Sequence, residues 1–242
     1  MTFDPFGDFE TRGYLQNHVA EKDLDIIKRL EHSSFTTGID EAFKQLAASK
    51  ELTYEHVLDI HKTLFDAVYH WAGQDRTKTA PDIAVVKGDV LFAHPADIRG
   101  AIEFALKNGQ DKEFMTSKPG EVMGYLAYGH PFLDGNGRTI MVVHSVLAQR
   151  AGFSIDWAAT SKTDYLDALT KELDRPGKGL LDAYLKPFTR SAVEHDRLAD
   201  GVAGAPGLDG NAEANRVLGK TSEPAVQARY EQQQLKRSQS KE

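Results

Sequence analysis

Cysteine is absent from the chain, and its absence removes several kinds of chemistry at once. Without a thiol there is no disulfide framework, no thiolate nucleophile and no zinc site with cysteine ligands. A stretch of about 18 consecutive apolar residues, long enough to cross a bilayer, is also missing. The first residues, MTFDPFGDFETRG, have no basic start followed by an apolar run, so they do not read as a secretion signal. These absences predict a cytoplasmic protein with no membrane partner. A secretion system that reads a carboxy-terminal tail would leave no such signal, so delivery into another cell stays open.

Basic residues are fewer than acidic residues. The chain has 29 lysines and arginines against 36 acidic residues, which gives a net charge of −7. Proteins that bind nucleic acid without sequence preference need basic surface to displace counterions from the phosphates. We therefore predict no nucleic-acid partner, and any phosphate chemistry is expected to be local. The 40% hydrophobic content over 242 residues is enough to build a core.

Helical periodicity dominates what is present. In the segment TYEHVLDIHKTLFDAVYHWAG, apolar residues recur at spacings of three and four, and Thr53 and Gly73 suit the two caps. One strand signal is clear: IAVVKGDVLFA has a turn between two β-rich runs and predicts a hairpin. The fold class predicted is all-α, a helical bundle that carries one small β-hairpin. Further helical patterns occur in PADIRGAIEFALKN, GEVMGYLAYGH, RTIMVVHSVLAQRAG, SKTDYLDALTKEL and GLLDAYLKPFTRSAVEHDRL.

Composition also predicts how the chain is divided. We expect a helical extension over residues 1–50 packed on a core domain at 51–198, followed by a flexible polar tail at 199–242. The tail is rich in Gly, Ala and polar residues, and it ends in EQQQLKRSQSKE. Such segments bury too little apolar surface to offset the entropy lost on ordering. The alternative is a short helix in PAVQARYEQQQLKR that forms against a partner.

The densest group of reactive side chains is HPFLDGNGR, residues 130–138, between two predicted helices. Its last residues become the start of the second helix, where unpaired N–H groups and the helix dipole attract anions. Gly135 and Gly137 would let a phosphate approach the backbone, and Asn136 adds a side-chain donor. Arg138 is unfavourable for the dipole in the first helical turn, which indicates that an anion is expected there.

Two further side chains of this segment have chemistry that suits a phosphate site. A carboxylate beside phosphates needs an intervening cation, so Asp134 is predicted to bind Mg²⁺. The imidazole of His130 can take a proton from a hydroxyl nucleophile at neutral pH. The Walker A and Rossmann patterns are absent, so this would be a phosphate site of another class. By contrast, His61 is expected on a helix surface or at a cap.

The segment HPFLDGNGR resembles the signature of the Fic (Fic/DOC) family, H-x-F-x-[D/E]-G-N-G-R-x-x-R. The resemblance extends over about residues 14–188. IHKTLFDAVYHWAGQDRT is similar to the helix before the motif in Fic domains, and LAQRAGFSIDW to the continuation after it. VVKGDVLFAHPADI is similar to the hairpin called the flap, and YLQNHVAEKDLDIIKRLEHSSF to the start of bacterial Fic toxins.

The resemblance implies an all-α enzyme that transfers AMP from ATP to a hydroxyl side chain of a target protein, with Mg²⁺. It implies that His130 is the base, that Asp134 is the Mg²⁺ ligand and that Arg138 grips the phosphate tail. Gly135, Asn136 and Gly137 would form the anion hole. The flap would hold an extended segment of the target by strand addition. Its residues are Val85, Val86, Lys87, Gly88, Asp89, Val90, Leu91 and Phe92.

One position departs from the family pattern. Met141 stands where the family has its second arginine. A thioether cannot donate to phosphate, and loss of a charge-assisted hydrogen bond costs on the order of 1.5 to 3 kcal/mol. ATP binding would be weaker by roughly tenfold to a hundredfold. Three alternatives follow: a slow adenylyltransferase, a transferase with another phosphate-containing donor, or a catalytically degenerate binding module.

Control of the activity is the second departure. In the family, a helix with the pattern [S/T]-x-x-x-E-[G/N] inhibits the enzyme, supplied by the chain itself or by a small antitoxin. Three segments have the serine or threonine and the glutamate at that spacing, and none is followed by Gly or Asn. They are Thr37 to Glu41, Ser117 to Glu121 and Ser238 to Glu242. If a glutamate inhibits this enzyme, we expect it from a small antitoxin in trans in preference to Glu41 of the chain itself.

Overall fold

The computed structural model describes residues 15–208 and 215–239. The first helices are α1 (Leu24–Ala48), α2 (Tyr54–Phe65), α3 (Arg76–Thr79), α4 (Ile98–Gln110), α5 (Lys112–Ser117) and α6 (Pro119–Gly129). They are followed by α7 (Asn136–Ala151), α8 (Lys162–Asp174), α9 (Leu180–Leu185), α10 (His195–Ala203) and α11 (Pro224–Gln239). The strands are β1 (Ile83–Lys87), β2 (Val90–Leu91), β3 (Phe153–Ile155), β4 (Thr189–Ser191) and β5 (Arg216–Lys220).

Helices α6 and α7 form the centre of the bundle. Every residue of α6 is buried, and so are most residues of α7. A helix that is apolar around its whole circumference belongs inside a protein, and here α4 and α9 pack on α6 while α1 and α2 pack on α7. The loop that joins α6 to α7 contains residues 130–135, so the motif lies at the middle of the bundle.

Local signals placed several helices correctly. Thr53 caps α2 in a capping box with His56, and Ser161 accepts a hydrogen bond from the Asp164 amide at the start of α8. Gly152 ends α7 in the left-handed conformation, with φ of 99°. The all-α bundle with a β-hairpin is confirmed.

The helix predicted as far as Gly73 ends earlier. Helix α2 stops at Phe65, and the chain continues in turns whose amides bond to the Phe65 carbonyl from Val68 and Tyr69. These turns still bury Val68 and Trp71. The spacing of apolar residues therefore predicted burial correctly in this segment, but it did not predict the backbone structure. The two-stranded sheet of β3 and β4, which is antiparallel, had no recognised signal in the sequence.

The prediction of a flexible tail at residues 199–242 is wrong for the part of it that the structure describes. Within this segment, helix α10 buries Ala199 and Val202 in the main core, and α11 buries Val226 and Tyr230 against the flap. The members of each pair are three or four residues apart, which places them on one helix face. A few well-spaced apolar residues are enough to hold a helix in place when a complementary surface is present. The average composition of a segment does not reveal such residues.

The alternative interpretation of the tail expected a helix in PAVQARYEQQQLKR that forms against a partner, and α11 covers that segment. Its partner is the chain itself: Val226 and Tyr230 pack in one cluster with Ala84, Val86 and Leu91 of the flap. Strand β5 pairs antiparallel with β1, so the flap sheet has three strands in the order β2, β1, β5.

No helix within residues 15–208 and 215–239 is both long enough and apolar enough to span a membrane.

Candidate active site

The loop after α6 is held by a buried arginine that the sequence analysis did not single out. Arg76 donates from Nε to the His130 carbonyl at 2.8 Å and from Nη2 to the Ala93 carbonyl at 2.8 Å. Its backbone N–H donates to the carbonyl of Pro131 at 2.7 Å. These bonds stabilise His130 in the left-handed conformation, with φ of 43°, which costs a non-glycine residue on the order of 1 to 3 kcal/mol.

His61 also supports the loop, so its expected place on a helix surface is wrong. It is completely buried, and its ring stacks on Phe132 with centroids 3.7 Å apart. Nδ1 accepts from the Gly73 amide at 2.9 Å, so Nε2 carries the proton and donates to the Asp134 carbonyl at 3.0 Å. Burial lowers the pKa of His61 to about 3, and the ring is therefore neutral. Its position in α2, four residues before Phe65, is typical of the buried face.

The side chain of Asn136 makes its hydrogen bonds inside the loop. Its side chain bonds the Phe132 backbone in both directions, with Nδ2 to the carbonyl at 2.7 Å and the Phe132 amide to Oδ1 at 2.9 Å. This bond pair shapes the loop. The groups that remain for an anion are the backbone N–H groups at the start of α7, which have no acceptor within the helix.

The two glycines of the motif serve different purposes. Gly135 has φ of 75°, and a Cβ there would lie 2.5 Å from the Phe65 ring, so the close packing excludes any side chain. At Gly137 a Cβ would meet nothing within 4 Å. Since Gly137 lines a cavity at the start of α7, the open space beside it can admit a ligand.

Arg138 is engaged with a residue that the sequence analysis missed. Its Nη2 lies 2.8 Å from Oε2 of Glu31, and both side chains are buried. Glu31 also accepts a hydrogen bond from the Tyr69 hydroxyl. Nη1 of Arg138 is buried and has no hydrogen-bond partner in the described ranges. Arg138 also lines the cavity, and its Nη1 is a donor without an acceptor.

A signal for Glu31 was present in the sequence. Ile27, Phe35 and Ile39 form the buried stripe of α1, and Glu31 takes its place in that stripe at the same spacing of four. Burial raises the pKa of Glu31 to about 7, and the negative charge of Asp134 adds to the rise, while Arg138 opposes it. A carboxylate in an apolar stripe is expensive unless it is paired, which is what this ion pair achieves.

Asp134 is the one carboxylate of the loop between α6 and α7, and it is partly exposed. Its side chain is 46% exposed, its Oδ1 accepts from the Gly135 amide at 2.6 Å, and Nη2 of Arg138 lies 3.8 Å away. In the part of the chain that the structure describes, no group of three His, Asp or Glu side chains is arranged to hold a metal ion. A single accessible carboxylate fits Mg²⁺ that is otherwise coordinated by phosphate oxygens and water, because Mg²⁺ is usually bound in this way.

The His130 side chain lies beneath the flap. The Phe92 ring stacks on it with centroids 3.5 Å apart and an interplanar angle of 8°. Burial lowers the pKa of His130 well below its usual range, and the charges of Arg76 and Lys87 act in the same direction, whereas the Asn215 side chain acts against them. Nε2 of His130 is buried and makes no hydrogen bond of normal length to a described residue. A neutral imidazole with a vacant ring nitrogen can accept a proton.

The motif side chains open on one cavity of about 680 Å³ between the flap, α1, α7 and α8. This volume is in the usual range for small-molecule and cofactor sites. Met141 lies in its wall and is 5% exposed. Lys28 of α1 also lines the cavity, and it makes no ion pair or hydrogen bond to any residue of the described ranges. The cavity is also lined by His130, Asp134, Gly137, Arg138 and Asn215.

Comparison with known proteins shows which family the chain resembles. Residues 51–148 match the Fic/DOC family. The chain carries a Fic/DOC domain. Protein adenylyltransferase VbhT of Bartonella schoenbuchensis is 34% identical to it over 163 residues, which are 64% of this chain and 32% of VbhT. The chain therefore spans about a third of the length of that relative. A probable protein adenylyltransferase of Sinorhizobium fredii, y4lH, is 28% identical over 166 residues, which are 65% of this chain and 82% of y4lH.

Solved Fic domains have the same fold. One is the N-terminal Fic domain of a putative cell filamentation protein from Bartonella quintana, a VirB-translocated effector with bound ADP. It has a TM-score of 0.64 at 22% identity, over 78% of this chain and 96% of that one. Another is the VirB-translocated effector BepC of Bartonella tribocorum with bound AMPPNP, with a TM-score of 0.58 at 17% identity, over 73% and 92% of the two chains.

Proposed function

We propose that this Fic protein transfers AMP from ATP to a hydroxyl side chain of a target protein. One geometric observation carries the proposal: the imidazole of His130 and the start of α7 line the same cavity. A transfer of this kind needs a base for the hydroxyl and an anion site for the phosphates. Relatives named protein adenylyltransferase support the proposal.

The phosphates would bind at the start of α7. The N–H groups there and the helix dipole favour negative charge, and the open side of Gly137 allows close approach. Arg138 would donate from Nη1 while Glu31 holds Nη2 and so fixes the plane of the guanidinium. Lys28 would supply a second cation from α1, on a wall that Met141 shares.

His130 would take the proton of the target hydroxyl. Its low pKa keeps the imidazole unprotonated at neutral pH, and its stacking on Phe92 fixes the ring beneath the flap. Arg76 holds the backbone at His130, so the base does not depend on the ligand for its position. Asp134 would hold Mg²⁺, which neutralises phosphate charge when it is bound.

The flap would bind an extended segment of the target by strand addition, through main-chain hydrogen bonds. The hairpin of β1 and β2 has Gly88 and Asp89 at its turn, with Lys87 paired to Val90. We also propose that the protein acts as a toxin or a delivered effector. A small antitoxin that supplies a glutamate helix would restrain it.

The test is incubation of the chain with a cell lysate and ATP labelled at either the α- or the γ-phosphate. The proposal expects protein label from α-labelled ATP only, and none with His130→Ala. Label from γ-labelled ATP only would indicate phosphoryl transfer instead. Label from neither, with ATP still bound, would indicate a binding module, the alternative that Met141 raises.

A further inference from the structure

The edge of the flap that β1 forms is occupied by the chain's own strand β5. Val86 pairs with Arg216, Val85 with Val217 and Ile83 with Lys220, in antiparallel register. The pairing continues past the strand, where the Thr221 amide donates to the Asp82 carbonyl at 2.8 Å. Strand addition to β1 in this structure is therefore already complete, with a segment of this chain as the added strand.

The register of β5 directs alternate side chains to the active site. Directly opposed residues of an antiparallel pair project from the same face of the sheet. Val85 lies in the main core, and its partner Val217 shares that face. Val86 lies in the cluster with α11, and its partner Arg216 shares the opposite face. Asn215 precedes Arg216 and therefore returns to the face of Val217.

The contacts of Asn215 agree with this alternation. Its Nδ2 donates to the carbonyl of Leu133, inside the motif loop, at 2.8 Å. Asn215 lines the same cavity as His130, and its side chain favours the protonated form of that imidazole. The residue that reaches the base, directly before β5, thus carries an amide, whose nitrogen is not nucleophilic and cannot accept AMP.

We propose that β5 occupies the target-docking edge of the flap as an internal stand-in for the target strand, and that Asn215 marks the position of the acceptor residue. The inference rests on the proposed function, because it assigns a register to the same strand addition. A target would bind as an antiparallel strand whose hydroxyl residue takes the place of Asn215. An apolar residue two positions later would take the place of Val217. The target has to displace β5 from β1, so β5 limits access.

A hydroxyl placed at position 215 tests the register. In Asn215→Ser the Oγ attacks the α-phosphorus of ATP and its proton passes to the His130 imidazole. The bond from that phosphorus to the oxygen bridging to the β-phosphate breaks, and pyrophosphate leaves. We expect AMP on residue 215 by peptide mass spectrometry, at a rate on the order of 100-fold above that at residue 216 of Arg216→Ser. That matched control places the hydroxyl on the opposite face.

The labelling experiment with Asn215→Ser has two further controls. Thr221 and Ser222 lie beyond the far end of β5 and serve as internal controls that stay unmodified. Adding His130→Ala to Asn215→Ser should abolish the label. If lysate proteins take up AMP while residue 215 stays unlabelled, or if 215 and 216 are labelled equally, the inference is overturned and the proposed function stands.

The second arm does not depend on transfer at all. Because the chain has no cysteine, a pair introduced at Val86 and Arg216 forms a unique disulfide if β5 lies on β1 in solution. Antiparallel partners have Cα atoms about 4.5 to 5.5 Å apart, within the range that a disulfide spans. The matched control, Ile83→Cys with Arg216→Cys, places the thiols three residues out of register, roughly 10 Å apart.

We expect oxidation to cross-link the first pair and not the control. We also expect the oxidised form to label lysate proteins at least about tenfold more slowly than its reduced form, because the target cannot displace a covalently held strand. Absence of the cross-link overturns the inference, and so does equal labelling by the two forms. If no variant transfers AMP to anything, the proposed function has failed, and cross-linking alone decides the placement of β5.

Discussion

Arg138 and Glu31 form a buried ion pair, with Nη2 and Oε2 2.8 Å apart, across 107 residues of sequence. Removing one member of such a pair leaves the other charged, buried and without a partner, which costs about 3 to 5 kcal/mol. We predict a loss of that size in the free energy of unfolding for Glu31→Ala, measured by urea denaturation. Glu41→Ala, an exposed change on the same helix, should stay within about 0.5 kcal/mol of wild type.

The raised pKa of Glu31 leads to a second prediction about stability. Its pKa is raised from 4.5 to about 7 in the folded chain, so the folded state binds the proton more tightly than the unfolded state does. The protonated form of Glu31 therefore stabilises the folded state. This stabilisation is fully present below pH 4.5 and is lost as pH rises through 7. The loss is about 3 kcal/mol at most. The difference in unfolding free energy between wild type and Glu31→Gln, measured from pH 4 to 8, isolates it. A difference that grows in favour of wild type with rising pH would contradict the assignment.

His130→Ala should abolish group transfer and leave ATP·Mg²⁺ binding largely intact, because the imidazole handles the proton and does not hold the phosphates. We expect transfer to fall by roughly 100-fold to 10,000-fold, which is the usual contribution of a general base. Labelling of lysate protein and calorimetric titration with ATP measure the two effects. His70→Ala, an exposed histidine outside the cavity, is the control. Near wild-type labelling by His130→Ala would show that this residue is not the base.

Asp134→Ala should weaken nucleotide binding only where magnesium is present, because this carboxylate would connect the protein to the metal. Titrations with ATP in Mg²⁺ and in EDTA measure the effect, and Asp40→Ala on the exposed face of α1 controls for loss of one negative charge. Equal weakening in both conditions would mean that Asp134 acts through Arg138, which lies 3.8 Å away, and not through a metal.

Met141→Arg should strengthen ATP binding or transfer by about 1 to 3 kcal/mol, because it restores a donor to a wall of the cavity. Lys28→Ala should act in the opposite direction, and Arg29→Ala, which is exposed, should have little effect. Affinity for ATP and transfer of its α-phosphate are measured side by side. No gain from Met141→Arg would mean that the site has adapted to another donor. The stability of that variant should then fall, because a buried cation would lack a partner.

Much of this protein was determined by local sequence. Capping at Thr53 and Ser161, the stop at Gly152 and the apolar spacing of the central helices depend on residues within one or two turns of each other. The hairpin turn at Gly88 is equally local. The motif at residues 130–138 is contiguous, so its position between two helices and the anion-attracting helix start followed from the pattern itself.

Tertiary structure decided which groups complete the site. Arg76 reaches the His130 carbonyl, Glu31 reaches Arg138, and Asn215 reaches the Leu133 carbonyl, each from a distant part of the chain. The physical reason is that such polar contacts depend on how helices and strands pack, and residue spacing within one segment does not record that packing. Strand β5 is the clearest case. Its pairing with β1 satisfies backbone groups of the flap, and main-chain hydrogen bonds of this kind leave almost no trace in the identity of the side chains.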